Sequence, residues 1–66
     1  MEYNKLRGRI VEKYDTMSNF ADKIGSSRQT VSQKLTGKSE FSRDDIQRYA
    51  DALEIPKDEI GVFFFE

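Results

Sequence analysis

Cysteine and histidine are both missing from this 66-residue sequence, and each absence excludes a class of chemistry. Without cysteine there is no disulfide framework, no thiolate metal site and no thiol nucleophile. Without histidine there is no imidazole to act as a general base or as a metal ligand. Carboxylates remain, but Asp44 and Asp45 are better explained as residues in the first turn of a helix. We therefore expect neither an enzyme nor a bound metal or other cofactor.

Apolar runs are also short. The longest, from Val62 to Phe65, has four residues, whereas a helix that spans a bilayer needs roughly 20. The segment from Met1 to Lys5 has no apolar stretch of the kind found in a secretory signal. A chain of this length buries only about 60% of its unfolded surface, so the core is small. The sequence predicts a single cytoplasmic domain over residues 1–66, with no membrane partner and no small-molecule ligand.

The formal net charge of −1 hides an uneven distribution of charge. Residues 1–39 carry eight basic and four acidic side chains, whereas residues 40–66 carry three basic and eight acidic ones. No carboxylate occurs between Lys23 and Ser39. A basic region of this kind is typical of a nucleic-acid interface, but small proteins also acquire such an imbalance by chance. Charge alone leaves both explanations open.

Apolar residues recur at helical spacing along most of the chain. Ile46, Tyr49, Ala50 and Leu53, for example, follow one another at the i, i+3, i+4 and i+7 positions of an amphipathic helix. The predicted helices cover approximately residues 3–14, 17–24, 28–36, 43–53 and 56–60. We therefore predict an all-α fold of five short helices, each of which needs a shared core because it is too short to be stable alone.

Capping residues set the predicted helix ends. Thr16, Ser26 or Ser27, and Ser42 are polar N-cap candidates that can accept a hydrogen bond from the first turn of a helix. Glycine follows the second, third and fifth helices, where it favours a left-handed stop. These predicted terminators are Gly25, Gly37 and Gly61.

The second and third predicted helices have the spacing of a helix–turn–helix, in which a tight turn joins two helices at a steep angle. The connection is Gly25-Ser26-Ser27, and its glycine permits a positive φ. Ala21 is small where the two helix backbones would approach each other. Val31 would fill the angle between the two helices.

The outward face of the third predicted helix is polar but has no carboxylate. Its residues are Arg28, Gln29, Ser32, Gln33 and Thr36. Amides and hydroxyls are not repelled by phosphate, and in the major groove Gln pairs with adenine and Arg with guanine. An inert solvated face is the alternative. The helix–turn–helix spacing and the missing carboxylates favour DNA reading.

Residues 20–38, with the sequence FADKIGSSRQTVSQKLTGK, resemble the lambda-repressor-like (XRE-type) helix–turn–helix family, which includes phage repressors and Cro proteins. Residues 53–60 resemble the closing helix of that family, so the resemblance covers roughly residues 4–61. It implies a five-helix DNA-binding bundle in a bacterial or phage-infected cell, associated with the nucleoid. It also implies a transcriptional regulator that binds a pseudo-palindromic double-stranded DNA operator as a homodimer.

The resemblance also implies roles for individual residues. The positions that match base-contacting residues are Arg28, Gln29, Thr30, Ser32 and Gln33. The positions that match phosphate-contacting residues are Thr16, Asn19, Ser27, Lys34, Thr36, Lys38 and Arg43.

Two residues depart from the family pattern. Met17 stands where the family usually has a Gln that bonds a phosphate, and Met17 cannot make that bond. Lys34 stands where the family usually has an apolar residue, and we expect its stem to lie along the core and its ammonium to point toward DNA.

Lys5, Arg9 and Lys13 form a basic row at i, i+4 and i+8 of the first predicted helix. They are candidates either for phosphate contacts or for a solvated face, and the solvated face is favoured.

The aromatic tail, residues 62–66, has two explanations. As a short β-strand, the tail would place Val62 and Phe64 on one side and Phe63 and Phe65 on the other. An exposed aromatic side would then mark a dimer interface. Alternatively, the tail folds entirely onto the small core. The resemblance to Cro proteins favours the strand-mediated homodimer, with Val62, Phe63, Phe64 and Phe65 at the interface.

A second functional class remains open from the sequence. The helical frame could serve as a protein–protein interaction module that binds a partner through its acidic fourth helix or its aromatic C-terminus.

Overall fold

A computed structural model of the protein describes residues 3–65, which form an all-helical fold. The helices are α1 (Asn4–Tyr14), α2 (Met17–Ile24), α3 (Arg28–Leu35), α4 (Arg43–Leu53) and α5 (Ile60–Phe64), with a 3-10 turn (Lys57–Glu59) leading directly into α5. No strand occurs within residues 3–65. The predicted all-α class is confirmed. Glu66, the last residue of the predicted tail, lies outside the described residues.

Side-chain hydrogen bonds begin three of the helices at the residues that the sequence indicated. Thr16 Oγ1 accepts from the backbone N–H of Asn19 at 3.1 Å, and Ser27 Oγ accepts from that of Thr30 at 3.1 Å. Ser42 and Asp45 form a reciprocal capping box at the start of α4. These bonds satisfy N–H groups at the helix starts that have no partner within their own helix, which is why these polar residues begin helices here.

Rings from four parts of the chain meet edge to face at the centre of the core. Phe20 of α2 lies 5.0 Å from Tyr49 of α4, measured between ring centroids. Phe41, from the segment before α4, lies 5.1 Å from Tyr49 and 5.3 Å from Phe64 of α5. Aliphatic side chains surround these rings. The fully buried ones are Leu6, Ile10, Val31, Leu35 and Leu53.

The C-terminal segment differs from the prediction. Gly61 does not end the fifth helix; α5 continues through it to Phe64, and the Phe65 N–H closes a helical turn on Gly61 O at 3.1 Å. The strand proposed for this segment is therefore wrong. The physical reason is that a helix places Ile60 and Phe64 one turn apart on the same face, and both pack on the core. Gly61 stays on the exposed side.

Two cations of the basic row of α1, Arg9 and Lys13, contact the end of α4. Arg9 Nε donates to Leu53 O at 3.0 Å, and Arg9 Nη2 donates to Glu54 O at 3.1 Å. Lys13 Nζ donates to Glu54 Oε2 at 2.9 Å, and this ammonium holds the pKa of Glu54 below its ordinary value. Cations here cap the carbonyl end of α4, where the helix dipole favours positive charge. Arg9 and Lys13 thus contact the end of α4, whereas the Lys13–Glu54 pair and Lys5 lie exposed, as expected for a solvated face.

Within the described part of the chain, no helix combines the length and the apolar character that crossing a membrane requires.

Candidate nucleic-acid interface

The connection between α2 and α3 orients the candidate surface. Gly25 adopts a left-handed conformation with φ of 72°, and the Ser26 N–H closes onto Ala21 O at 2.9 Å. The chain then turns into the Ser27 cap of α3. Val31 and Leu35 are buried on one side of α3, so the opposite side is fixed toward solvent.

The predicted base-contacting residues lie on that solvent side. Arg28, Gln29, Thr30 and Gln33 are exposed, and Ser32 is half-buried. Along residues 27–36, the side chains that form hydrogen bonds with described residues are those of Ser27, Thr30, Lys34 and Thr36. The guanidinium of Arg28 and the amides of Gln29 and Gln33 are therefore not engaged by any described residue.

The Thr30 hydroxyl is in a different situation. It lies 2.8 Å from Ser27 Oγ, which also caps the helix. This local pairing engages the Thr30 hydroxyl within the first turn of α3.

Six of the seven predicted phosphate-contacting residues are exposed. They are Thr16, Asn19, Ser27, Thr36, Lys38 and Arg43. Asn19 Nδ2 also donates to Tyr14 O at 2.9 Å, and Thr36 Oγ1 donates to Gln33 O at 3.2 Å. These bonds tie the polar side chains to the backbone of the helix ends.

Lys34 is the exception, because its ammonium points into the protein. Its Nζ lies 2.8 Å from Asp45 Oδ2 and donates to Glu40 O at 3.1 Å. The side chains of Lys34 and Asp45 are only 15% and 13% exposed. The expectation that this ammonium points toward DNA is therefore wrong. The physical reason is Asp45, a nearly buried carboxylate that would be costly to leave without an opposite charge.

The electrostatics of Asp45 reflect this neighbourhood. The hydrogen bond from Lys34, followed by that from the Ser42 N–H, lowers the pKa of Asp45 to about 2, although burial acts in the opposite direction. Arg48 Nη2 lies 3.6 Å from Asp45 Oδ1 and adds a second cation. The sequence placed Asp45 in a first turn but did not reveal the Lys34 partner, which comes from a different helix.

Ion pairs divide the basic residues into two groups. Among residues 3–65, Arg9, Lys13, Lys34 and Arg48 pair with carboxylates. The other seven cations form no ion pair with any described carboxylate; they include Arg28, Lys38 and Arg43 of the candidate surface, together with Lys5, Arg7, Lys23 and Lys57. The candidate surface therefore retains its positive charge.

The predicted dimer interface is divided by the structure. Phe64 is 3% exposed and belongs to the core, so it is not available to a partner. Phe63 is half-buried, and the Arg9 guanidinium lies 5.9 Å from its ring centroid. Only Val62 and Phe65, 45% and 69% exposed, present apolar surface of the predicted kind.

A family model matches the sequence. The profile of the family described as "Protein of unknown function (DUF739)" matches residues 1–66. No curated protein matches the sequence significantly. The match covers the entire chain, so this protein belongs to the DUF739 family of proteins of unknown function.

Proposed function

We propose that this protein is a sequence-specific regulator of transcription that binds double-stranded DNA by placing α3 in the major groove. One observation carries the proposal: the exposed face of α3 holds an unengaged guanidinium and two unengaged amides, and no carboxylate lies between Lys23 and Ser39. Arg28, Gln29 and Gln33 are the side-chain types that read guanine and adenine through paired hydrogen bonds.

The residues around α3 supply the sequence-independent part of the interaction. Lys38 and Arg43 follow α3 in the chain, while Thr16 and Asn19 lie at the start of α2. Phosphate contacts of this kind give affinity and fix the register of a protein on the duplex, while base contacts give sequence preference. Lys34 is not part of this set because Asp45 engages its ammonium.

We propose a dimer on DNA, in the manner of Cro and repressor proteins. The Cα atoms of one copy span 26 × 23 × 20 Å. Two copies can therefore stand side by side with their α3 helices in successive major grooves, about 34 Å apart, on a pseudo-palindromic site. Val62 and Phe65 are the exposed apolar residues of the tail available for their contact.

Selection of bound sites from a random double-stranded DNA library tests the proposal. We expect an enriched sequence with two related half-sites separated by about one helical turn, because two copies would read it. A single enriched half-site would support DNA reading but contradict the dimer. No enrichment over the starting library would contradict sequence-specific binding.

Exposed Phe65 also suits the second functional class, a module that binds another protein. Salt dependence separates the two classes. A DNA-binding protein should bind mixed DNA fragments at about 50 mM salt and lose that affinity steeply as salt rises. An interaction module should show no salt-sensitive binding to the fragments.

A further inference from the structure

The ammonium of Lys34 lies at the junction of three segments of the chain. It extends from the last turn of α3, bonds Asp45 of α4 at 2.8 Å, and donates to the backbone oxygen of Glu40 in the connecting segment at 3.1 Å. It also lies 6.0 Å from the ring centroid of Phe41. One cation thus joins the end of α3, the connection and the start of α4.

The carboxylate that receives this cation is itself held in place. The Ser42 N–H donates to Asp45 Oδ2 at 3.0 Å, and Asp45 N–H donates back to Ser42 Oγ at 3.1 Å. Arg48 approaches the other carboxylate oxygen at 3.6 Å. Because α4 fixes Asp45, the position of Asp45 determines where Lys34, and therefore the end of α3, can lie.

The connecting segment returns to the same turn of α3. The backbone N–H groups of Lys38 and Ser39 both donate to Gln33 O, at 2.9 and 3.2 Å. Lys38 itself makes the first of these bonds, and Arg43 begins α4 one residue after the Ser42 cap. Anything that fixes this segment therefore fixes the backbone from which Lys38 and Arg43 extend.

A nearly buried ion pair contributes little net stability compared with well-packed apolar side chains, but its hydrogen bonds specify one geometry. Glu40 O and Asp45 Oδ2 lie on different segments and meet the same Nζ. The ammonium therefore restrains two segments relative to α3, which an apolar side chain does not do.

We propose that Lys34 is a positioning residue, which sets where Lys38 and Arg43 lie relative to the base-reading side chains of α3. The part of this proposal that concerns DNA rests on the proposed function. Lys34 contacts no DNA itself. It acts by holding the segment between Gly37 and Ser42 against α3, so that phosphate contacts and base contacts are made in the same register.

The test replaces both partners, because Lys34→Met alone would leave a nearly buried carboxylate and could unfold the chain. In Lys34→Met/Asp45→Asn, the net charge is unchanged and the Asn oxygen can still accept from the Ser42 N–H. The matched control is Lys13→Met/Glu54→Gln, which removes the exposed ion pair between α1 and the end of α4, also without changing the net charge.

The first measurement needs no DNA. Amide hydrogen exchange reports how well the N–H groups of Lys38 and Ser39 are held on Gln33 O. In the Lys34/Asp45 variant, we expect both to exchange about tenfold faster relative to the slowest core amides, since local opening becomes easier. In the control, we expect both to exchange as in the wild-type protein. Unchanged exchange in the Lys34/Asp45 variant would overturn the proposal.

The second measurement compares affinity for the selected site with affinity for random DNA at one salt concentration. The affinity of the Lys34/Asp45 variant should fall about tenfold for the selected site and much less for random DNA, because only the selected site demands one register. The control should keep the wild-type ratio of the two affinities. A wild-type ratio in the Lys34/Asp45 variant would overturn the positioning role in DNA reading.

Failure of the two proposals can be told apart. If the wild-type protein binds no DNA, the proposed function fails, and the exchange rates alone decide whether Lys34 holds the segment.

Discussion

Asp45 shows how one carboxylate can join two helices. It caps its own helix through Ser42 and receives the ammonium of Lys34 from α3. Its pKa in the folded protein is about 2, compared with 3.8 without these partners. A lowered pKa means that the ionised carboxylate is bound more tightly in the folded state than in the unfolded chain.

This shift predicts a specific dependence of stability on pH. Because the folded pKa is lowered, Asp45 contributes stability above about pH 4, and that stability is lost as pH falls toward 2. The contribution is about 2 kcal/mol. Urea unfolding between pH 5 and 2 should therefore show a steeper loss of stability in the wild-type protein than in Asp45→Asn. Equal slopes in the two proteins would contradict the proposed environment of Asp45.

Lys34 marks the limit of what residue patterns predict. Lys34 occupies a position that is apolar in the resembling family, and from the sequence we expected its ammonium to point toward DNA. Its actual direction depends on Asp45, which is 11 positions further along the chain and on another helix. Arg9 and Leu53 are separated even further in the sequence, so local sequence patterns could not pair them.

Helix ends were the most predictable elements, because their causes are local. Thr16, Ser27, Ser42 and Gly25 each act on residues within one turn of themselves. The fifth helix was predicted incorrectly at Gly61, because the deciding influence there is not local. Burial of Phe64 beside Phe41 and Tyr49 favours a helix that a glycine signal alone would stop.

Two glycines provide a paired test of helix α1 and of the turn after α2. Gly25 has φ of 72°, so Gly25→Ala should lower the free energy of unfolding by about 1–2 kcal/mol. Gly8 lies within α1, and an added Cβ would meet nothing within 4 Å. Gly8→Ala should therefore raise stability by up to about 1 kcal/mol, since alanine favours the helix. Urea unfolding measures both changes, and effects of the same sign would contradict these conformations.

The tail offers a test of α5. Phe64 is buried among the core rings, and Phe64→Ala should lower the free energy of unfolding by about 3–5 kcal/mol. Phe65 is mostly exposed, so Phe65→Ala should change the free energy of unfolding by less than about 0.5 kcal/mol. Thermal or urea unfolding of both variants gives the comparison. A larger loss from Phe65→Ala than from Phe64→Ala would contradict the helical tail.

Some charges of the molecule are paired with one another, and others are exposed. Cations of α1 face the end of α4, and Lys34 and Arg48 face Asp45. Arg28, Lys38 and Arg43 remain exposed near one another in the chain, while Asp51, Asp58 and Glu59 are exposed on the later elements. The net charge of −1 is therefore a poor guide to what any one surface of the molecule attracts.

The acidic elements are expected to limit non-specific binding. Neutralising them together, with Asp51→Asn, Asp58→Asn and Glu59→Gln, should raise affinity for random DNA more than affinity for the selected site. The reason is that repulsion by these charges acts on every DNA sequence, whereas base contacts act only on the selected one. The gain should vanish at high salt, where charges are screened. A gain that persists at high salt would contradict an electrostatic cause.

Two matched amide substitutions test whether α3 reads base edges. Gln33→Ala and the control Gln47→Ala each remove one exposed amide, from α3 and from α4. Affinities of both variants for the selected site and for random DNA are measured at the same salt concentration. Gln33→Ala should weaken the binding free energy for the selected site by about 1–3 kcal/mol and that for random DNA only slightly. Gln47→Ala should change neither binding free energy. Equal losses on both DNAs, or equal effects of the two variants, would contradict base reading by α3.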